Sequence, residues 1–135
     1  MPLTRISLME GKSTEYRKAL VEQIYLAMRE TFDVPEDDYF MTIQELAPEN
    51  LRFSRTYFDI ERSDDFVIIQ ITCSNTRSLE KKKALYRRIV ERLTEAPGLR
   101  PEDVFVNLVE TGTESWSFGH GEAQYVRSND SFRYL

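Results

Sequence analysis

Residues 66–85 read FVIIQITCSNTRSLEKKKAL, and this stretch contains a strand followed by the start of a helix. The run from Phe66 to Ile71 is almost entirely apolar, with the β-branched residues that are typical of a buried strand. Ser78 then occupies a helix N-cap position, with the acidic Glu80 close behind it. The apolar stripe of the predicted helix consists of Leu85, Ile89, Leu93 and Ala96. The stretch therefore predicts a buried strand that leads into an amphipathic helix.

The same pattern occurs earlier in the chain, at an offset of 65 residues. The aligned pairs are Ile6 and Ile71, Ser13 and Ser78, Glu15 and Glu80, and Lys18-Ala19-Leu20 and Lys83-Ala84-Leu85. Further on, Pro35-Glu36-Asp37 corresponds to Pro101-Glu102-Asp103 at an offset of 66, and Glu45 corresponds to Glu110 at 65 again. An ordered series of this kind is hardly a product of chance. It indicates an internal repeat of residues 2–46 and 66–110 within a single domain that spans residues 1–135.

Each copy of the repeat reads as a β-α-β unit. The first copy has an alternating strand from Leu3 to Leu8, a helix after the N-cap Ser13 that ends before Pro35, and a strand at residues 40–44. The stripe of its helix consists of Leu20, Ile24, Ala27, Met28 and Phe32. The helix of the second copy ends near Pro97-Gly98, and a strand follows at residues 104–109. We therefore predict an α+β fold, in which two tandem right-handed β-α-β units form a four-stranded sheet with both helices on one face.

Two further segments lie outside the repeat. Residues 47–65 carry several charges and the pair Tyr57-Phe58, and are predicted to connect the units, with short strand pairing left open. The tail, residues 111–135, is rich in glycine, serine and aromatic residues, which indicates a turn with a C-terminal hairpin or extension. If the sheet face away from the helices is apolar, self-association would cover it.

The composition excludes several classes of protein. Of the 135 residues, 41% are apolar and 30% charged, with a net charge of −5 and with basic and acidic residues interspersed. No basic patch for nucleic acid, no signal peptide and no run long enough for a membrane span is present, so a cytoplasmic protein is expected. One cysteine, Cys73, and one histidine cannot form a disulfide or a standard zinc cluster. Chemistry without a metal or a cofactor is the expectation.

Pro2 is the first candidate for a catalytic group. Removal of Met1 would expose a secondary amine at the start of a predicted strand. An α-amino group has a pKa of about 8, and burial or a nearby cation lowers it, so such an amine can act as a base at neutral pH. Proline at position 2 is also common for reasons other than catalysis, so a catalytic role for Pro2 needs support from the rest of the chain.

The doubled β-α-β pattern and several short motifs resemble the tautomerase superfamily, and more closely its double-length members, typified by malonate semialdehyde decarboxylase. The motifs are Pro2-Leu3, Glu10-Gly11, Phe32-Asp33-Val34-Pro35 with Asp38, Thr76-Arg77-Ser78, Val109-Glu110, and Trp116-Ser117-Phe118-Gly119-His120-Gly121. The last of these is the most specific, and the resemblance covers nearly the whole chain. It implies a homotrimer that acts on a small oxo acid.

The resemblance also implies roles for individual residues. Pro2 would be the catalytic amine, Asp38 the carboxylate that assists it, and Arg77 the group that binds the substrate carboxylate. The alternatives are that Asp38 only caps a turn and that Arg77 is a solvated surface residue. Arg77 directly precedes a helix N-cap, where its guanidinium and the helix dipole are expected to converge on an anion.

Aromatic residues of the tail are expected to form the wall of the pocket and to desolvate the amine. Trp116 and Phe118 are two residues apart, on one face of an extended segment, and Tyr125 follows a turn. The alternative for all three residues is packing in the core or at a subunit interface, and this alternative is stronger for Tyr125 than for Trp116 and Phe118. His120, between two glycines, is expected to be an exposed turn residue.

One position departs from the decarboxylase pattern. The decarboxylase has a second arginine two positions before the first, and this chain has Asn75 there. Asn75 remains a candidate substrate-binding residue because its amide donates hydrogen bonds, but it supplies no second positive charge.

Three functions remain open at this point. In the first, neutral Pro2 is the general base in keto–enol tautomerisation of a small 2-oxo acid. In the second, protonated Pro2 is the general acid in decarboxylation of a 3-oxo acid such as malonate semialdehyde, or in a related hydration. In the third, Met1 is retained, the Pro2 nitrogen is an amide, and the chain is a non-catalytic oligomeric binding protein.

Overall fold

The fold was examined in a computed structural model, which describes residues 2–126. The strands are β1 (Leu3–Met9), β2 (Met41–Leu46), β3 (Val67–Ser74) and β4 (Val104–Thr111). The helices are α1 (Thr14–Phe32) and α2 (Leu79–Glu95). The predicted α+β fold of two β-α-β units, with both helices packed on one face of a four-stranded sheet, is confirmed.

Both helices begin at the predicted N-caps. The Ser13 hydroxyl accepts the backbone N–H of Tyr16, and the Ser78 hydroxyl accepts that of Lys81, so each cap satisfies a donor that the first turn leaves without a partner. The buried residues of the helices are Leu20, Ile24, Ala27, Met28 and Phe32 in α1 and Leu85, Ile89 and Leu93 in α2. Ala96, predicted as the last residue of the α2 stripe, lies instead at the C-cap and is only half-buried, because the helix ends at Glu95.

The strand order in the sheet is β2-β1-β3-β4. β1 is parallel to β2 and β3 is parallel to β4, whereas the two central strands, β1 and β3, are antiparallel. In this central pair, Ile6 lies opposite Ile69 and Thr4 lies opposite Ile71. The repeat offset of 65 residues relates Ile6 to Ile71 and Thr4 to Ile69, so it exchanges the two pairs. The two units are therefore related by an approximate two-fold axis that passes through the pair of Arg5 and Gln70.

The core lies between the sheet and the helices, as the alternation of the strands requires. Ile6, Ile69 and Ile71 point into it and are fully buried. The opposite face, which we call the outer face, is mixed in character and not apolar. Ser7 donates to Gln44 (3.5 Å) and Gln70 donates to Asn107 (3.2 Å) across neighbouring strands of this face.

The connecting segment and the described part of the tail contain short turns in place of strands. Residues 47–66 form two short 3₁₀ turns (Pro48–Asn50 and Tyr57–Asp59) and no strand pairing, because side chains such as that of Arg62 satisfy the backbone carbonyls. Between residues 112 and 126 the tail is an extension with two further 3₁₀ turns (Thr113–Ser115 and Gln124–Val126). The rest of the predicted tail, residues 127–135, lies outside the described residues. Within residues 2–126, no helix is long and apolar enough to cross a membrane.

Candidate active site

Pro2 is buried at the amino-terminal end of the central strand β1. The next residue, Leu3, pairs with Thr72 of β3, so Pro2 is adjacent to the carboxyl end of that strand. On the other side, the N–H of Thr4 donates to the carbonyl of Phe40, just before β2 (3.0 Å). Pro2 therefore lies where the end of β3 and the start of β2 meet, with Met1 outside the described residues.

Arg77 is half-buried at the same end of the sheet, between the end of α1 and the start of α2. Its guanidinium donates to the Ser74 hydroxyl (2.8 Å) and to the carbonyl of Phe32 (3.0 Å), and its central carbon lies 4.7 Å from the centroid of the Phe32 ring. Burial lowers the pKa of Arg77 from its ordinary value. A guanidinium nevertheless keeps its proton in proteins.

The charge of Arg77 is not neutralised by a carboxylate. In the part of the chain that the structure describes, no Asp or Glu lies within ion-pair distance of its guanidinium, and the nearby Asp33 is paired with Lys81 instead (2.8 Å). Two of its five N–H donors have protein partners, which leaves others for a bound anion. A half-buried guanidinium with N–H groups to spare has the chemistry to bind a carboxylate, and this role of Arg77 stays a prediction.

The aromatic residues predicted to wall the pocket are in mutual contact. Trp116 and Phe118 are stacked, with centroids 5.6 Å apart and planes at 6°, and Tyr125 packs edge-on against Phe118 at 5.0 Å. Phe40 approaches the same Phe118 ring, at 6.1 Å, from the start of β2. This contact brings the wall to the strand end that carries Pro2.

Tyr125 connects the wall to Arg77. Its side chain is only 7% exposed, and this burial raises the pKa of the phenol to about 12, while the positive charge of Arg77 acts weakly in the opposite direction. The phenol is therefore neutral at physiological pH and lies within electrostatic range of the guanidinium. This position is compatible with both predictions for Tyr125, packing in the core and a place in the pocket wall.

The turn between Phe118 and Tyr125 is held by a single side chain. The Gln124 amide accepts the N–H of Phe118 (2.9 Å) and donates to the carbonyl of Gly119 (2.7 Å). Gly119, His120 and Gly121 all have positive φ angles, which glycine adopts freely and histidine less readily. His120 is exposed, as the sequence predicted for a turn residue.

Asp38 and Asn75 occupy different positions relative to this cluster. Asp38 is half-buried in the loop after α1, where its N–H donates to the carbonyl of Pro35 (3.1 Å), two residues before Phe40. Asn75 is exposed, and its backbone N–H donates to the carbonyl of Thr111 (3.0 Å). The loop of Asp38 thus leads directly to the strand end beside Pro2, whereas Asn75 has an exposed side chain.

Several residues of the cluster were missed from the sequence. The Thr111 hydroxyl accepts the indole N–H of Trp116 (2.8 Å) and donates to the carbonyl of Cys73 (3.1 Å), which ties the wall to the end of β3. Phe40 and Phe32 were assigned to a strand and to the core, and Ser74 received no role. Tertiary contacts define all four, and no local sequence signal marks them.

The opposite end of the sheet corresponds to this one by the two-fold relation. There, Val67 takes the position of Pro2 and Lys12 that of Arg77 at the offset of 65, and Lys12 is paired with Asp65. The fully buried Asp103 accepts both the N–H and the hydroxyl of Ser63 (2.7 and 2.6 Å). The charges of this end are thus satisfied within the chain. Within residues 2–126, no group of three His, Cys, Asp or Glu side chains could hold a metal ion.

Comparison with known proteins identifies the family. Two family models, both described as tautomerase enzyme, match residues 2–58 and 38–119. The probable tautomerase YusQ of Bacillus subtilis is 39% identical over 126 residues, which cover 93% of this chain and 99% of that protein. The probable tautomerase YrdN of the same organism is 34% identical over 126 residues, which cover 93% of this chain and 97% of that protein.

Solved structures agree with this result. Malonate semialdehyde decarboxylase is 30% identical, with a TM-score of 0.85 over 90% of this chain and 94% of the other. The FG41 malonate semialdehyde decarboxylase inhibited by 3-bromopropiolate is 31% identical, with a TM-score of 0.86 over 92% and 94%. A fused 4-OT trimer shares the fold at 18% identity, with a TM-score of 0.74 over 89% and 94%. The chain belongs to the tautomerase superfamily, as one of its double-length members.

Proposed function

We propose that this protein is a cofactor-independent tautomerase that interconverts the keto and enol forms of a small 2-oxo acid, with the Pro2 nitrogen as general base. The observation that carries the proposal is the half-buried guanidinium of Arg77, which has no carboxylate partner in residues 2–126 and lies at the strand end where Pro2 is buried. A carboxylate bound to Arg77 would bring the neighbouring carbonyl and its α-carbon close to Pro2.

The surroundings of Pro2 favour the neutral amine. An α-amino group has an ordinary pKa of about 8, which an apolar site and a nearby cation both lower. The wall of Trp116 and Phe118 supplies the apolar site and Arg77 supplies the cation. Asp38, whose negative charge acts in the opposite direction, would limit the fall of the pKa and hold the protonated amine once it forms.

The reaction then needs a single base. The neutral nitrogen of Pro2 removes the proton from the carbon α to the carbonyl, and the electron pair moves onto the carbonyl oxygen. The protonated nitrogen delivers the proton to that oxygen, which gives the enol and restores the base; the reverse order gives the ketone. Arg77 holds the carboxylate throughout, and the aromatic wall excludes water.

Decarboxylation of a 3-oxo acid such as malonate semialdehyde is the second candidate, favoured by the 30% and 31% identity to the two decarboxylase structures. In that reaction a protonated Pro2 would polarise the carbonyl while Arg77 orients the carboxylate that leaves as carbon dioxide; a hydration assisted by Asp38 is a related possibility. The exposed, neutral Asn75 offers no second cation for this chemistry. We therefore rank decarboxylation second, after tautomerisation.

The proposal also includes a homotrimer. Proteins of this fold occur as trimers, as the symmetric and asymmetric fused 4-OT trimers do. The outer face of the sheet, which neither helix covers, offers a surface for such an assembly. Sedimentation or light scattering of the purified protein gives its mass directly, and a monomer would contradict this part of the proposal.

The decisive experiment begins with the intact mass and continues with the conversion of phenylpyruvate enol to ketone across a pH series. Loss of Met1, activity that is abolished in Pro2→Ala, and a rate limited by an amine pKa near or below about 7 would support the general base. Arg77→Gln should raise KM strongly, with exposed Arg87→Gln as the control. Decarboxylation of malonate semialdehyde, governed by a pKa well above neutrality, would favour the second candidate. A retained Met1, or activity that is indifferent to Pro2, would leave a binding protein.

A further inference from the structure

The connecting segment contains a loop that is organised around one arginine. We call residues 54–62 the Phe58 loop. One terminal nitrogen of Arg62 donates to three carbonyls of this loop, those of Ser54 (3.2 Å), Tyr57 (3.0 Å) and Ile60 (3.2 Å). The Ser54 hydroxyl in turn accepts the N–H of Tyr57 (3.0 Å). These bonds fix the loop in one conformation without help from a neighbouring strand.

The fixed conformation presents an aromatic residue to solvent. Phe58 is 79% exposed and its neighbour Tyr57 is 66% exposed, and the two rings contact each other edge-on at 4.9 Å. Phe58 has a φ of 62°, a left-handed conformation that a bulky side chain rarely adopts. Within one chain, this arrangement places an apolar ring in water on an unfavourable backbone, which indicates a role in contact with another molecule.

The outer face of the sheet contains a complementary surface. We call it the outer-face groove. It is a concavity across β2, β1 and β3, and its lining includes Leu3, Arg5, Thr42, Gln44, Ile68 and Gln70. Apolar side chains lie at its ends, and Arg5 stands at its centre, on the two-fold axis of the chain. In the described part of the chain, no carboxylate pairs with Arg5.

Charge connects the Phe58 loop with the groove. Asp59 directly follows Phe58, and Glu61 lies two residues further on. Among residues 2–126, neither carboxylate has an ion-pair partner. An exposed aromatic side chain followed by two carboxylates without ion-pair partners is complementary to a groove that has apolar ends and an unpaired positive charge at its centre.

We propose that the Phe58 loop of one subunit binds in the outer-face groove of a second copy of this chain. The contact joins two different surfaces, so repeating it around a rotation axis closes a ring of subunits. In this ring, each subunit inserts its Phe58 loop into one neighbour and receives the loop of the other neighbour in its groove. Phe58 is buried at the centre of the interface, and Asp59 or Glu61 pairs with Arg5 of the partner copy. This inference rests on the proposed homo-oligomer and assigns the surfaces that hold it together.

Three variants test the inference by analytical ultracentrifugation over a dilution series. Phe58→Asn removes the ring but suits the left-handed backbone better than phenylalanine does, so the loop itself is preserved. Arg5→Asp reverses the charge of the groove, and Asp59→Arg added to Arg5→Asp restores an opposite pair. Leu79→Asn, at an exposed apolar residue of α2 in the helix layer, is the control.

The expected result is a multimer for the wild type and the control, and at least about a tenfold higher dissociation constant for Phe58→Asn and for Arg5→Asp. The double variant should recover part of the loss, and thermal unfolding should show that the monomers remain folded. A wild-type multimer whose dissociation constant is unchanged in either single variant overturns this inference alone. A monomeric wild type overturns the proposed oligomer, and this inference with it.

Discussion

The guanidinium of Arg77 lies on the face of the Phe32 ring, 4.7 Å from its centroid, and donates to the carbonyl of the same residue at 3.0 Å. Phe32 is the last residue of α1, where carbonyls lack helical partners and the helix dipole favours a positive charge. One residue thus holds the cation through both its ring and its backbone, which orients the remaining N–H groups.

Phe32→Leu should therefore weaken substrate binding through Arg77. Loss of the ring contact is expected to raise KM about threefold to tenfold with a smaller change in kcat, because the cation loses its support and not its charge. The core loses roughly 1 to 2 kcal/mol of stability as well. Steady-state kinetics of phenylpyruvate tautomerisation measure the first effect and urea unfolding the second.

A matched control separates positioning from stability. Ile24→Val, in the same buried stripe of α1, should cost about 1 kcal/mol and leave KM unchanged. If Phe32→Leu raises KM no more than Ile24→Val does, the Phe32 ring has no part in orienting Arg77.

Arg77→Lys should bind a 2-oxo acid about 10- to 100-fold more weakly than the wild type, since lysine keeps the charge but cannot bond to Ser74, Phe32 and a carboxylate in one plane. Trp116 is the single tryptophan of the chain, and its proposed place in the pocket wall makes its fluorescence a suitable probe of binding. Titration with phenylpyruvate measures the affinity, with Arg87→Lys as the control. Equal affinities for both variants would remove Arg77 from the binding site.

Thr111→Val should disturb the aromatic wall without touching the proposed base. The indole N–H of Trp116 loses its acceptor at 2.8 Å, so a shift of the fluorescence maximum and a fall of kcat/KM by about threefold to tenfold are expected. Thr111→Ser keeps the hydroxyl and should restore both quantities. Failure of serine to rescue them would indicate that packing of the threonine methyl group, and not the hydrogen bond, matters.

Tyr125 should make stability depend on alkaline pH. Its pKa is raised from 10.0 to about 12, so the folded protein binds this proton more tightly than the unfolded chain does. The resulting stabilisation is complete below pH 10 and is lost as the pH rises to about 12; it amounts to on the order of 2 kcal/mol. Urea unfolding across this range should show a smaller decline for Tyr125→Phe than for the wild type. Identical declines would contradict the buried phenol.

Glu30 should make stability depend on acidic pH. Hydrogen bonds from Arg88 and then Arg92 of the neighbouring helix lower its pKa from 4.5 to about 2, so its stabilisation is complete above pH 4.5 and is lost as the pH falls to about 2. Because the carboxylate is partly exposed and screened by solvent, Glu30→Gln should cost only about 1 kcal/mol at neutral pH. Unfolding at neutral pH and near pH 2 measures the difference, with Glu91→Gln as the control. A cost that does not diminish in acid would contradict the pairing.

The fold was predictable because its signals are local and occur twice. Ser13 and Ser78 could be recognised as caps from the acidic residues behind them, and the apolar stripes of both helices required only a period of 3.6 residues. The limits of the strands were less certain: β3 continues past Ile71 to Ser74, because pairing with β4 extends it. Pairing partners lie far away in sequence, so the boundary has no local marker.

The site was predictable only where a motif marked it. The stacked pair of Trp116 and Phe118 was found through its motif, whereas the acceptor Thr111 and the ring of Phe40 come from other elements and were not. The side chain of Asn75 is exposed, and its predicted substrate contact stays a prediction. The role of each of these residues is decided by tertiary structure.

The two-fold relation between the units has a consequence for stoichiometry. Each chain contains the scaffold twice but has one amino terminus, since the nitrogen of Val67, in the position that matches Pro2, is an amide within the chain. The second end therefore offers no amine of the kind proposed for Pro2, and there the hydrogen bonds between Asp103 and Ser63 fasten the connecting segment. With Met1 removed as proposed, an electrophile that alkylates the Pro2 nitrogen should saturate at one equivalent per chain, half the number of scaffold units.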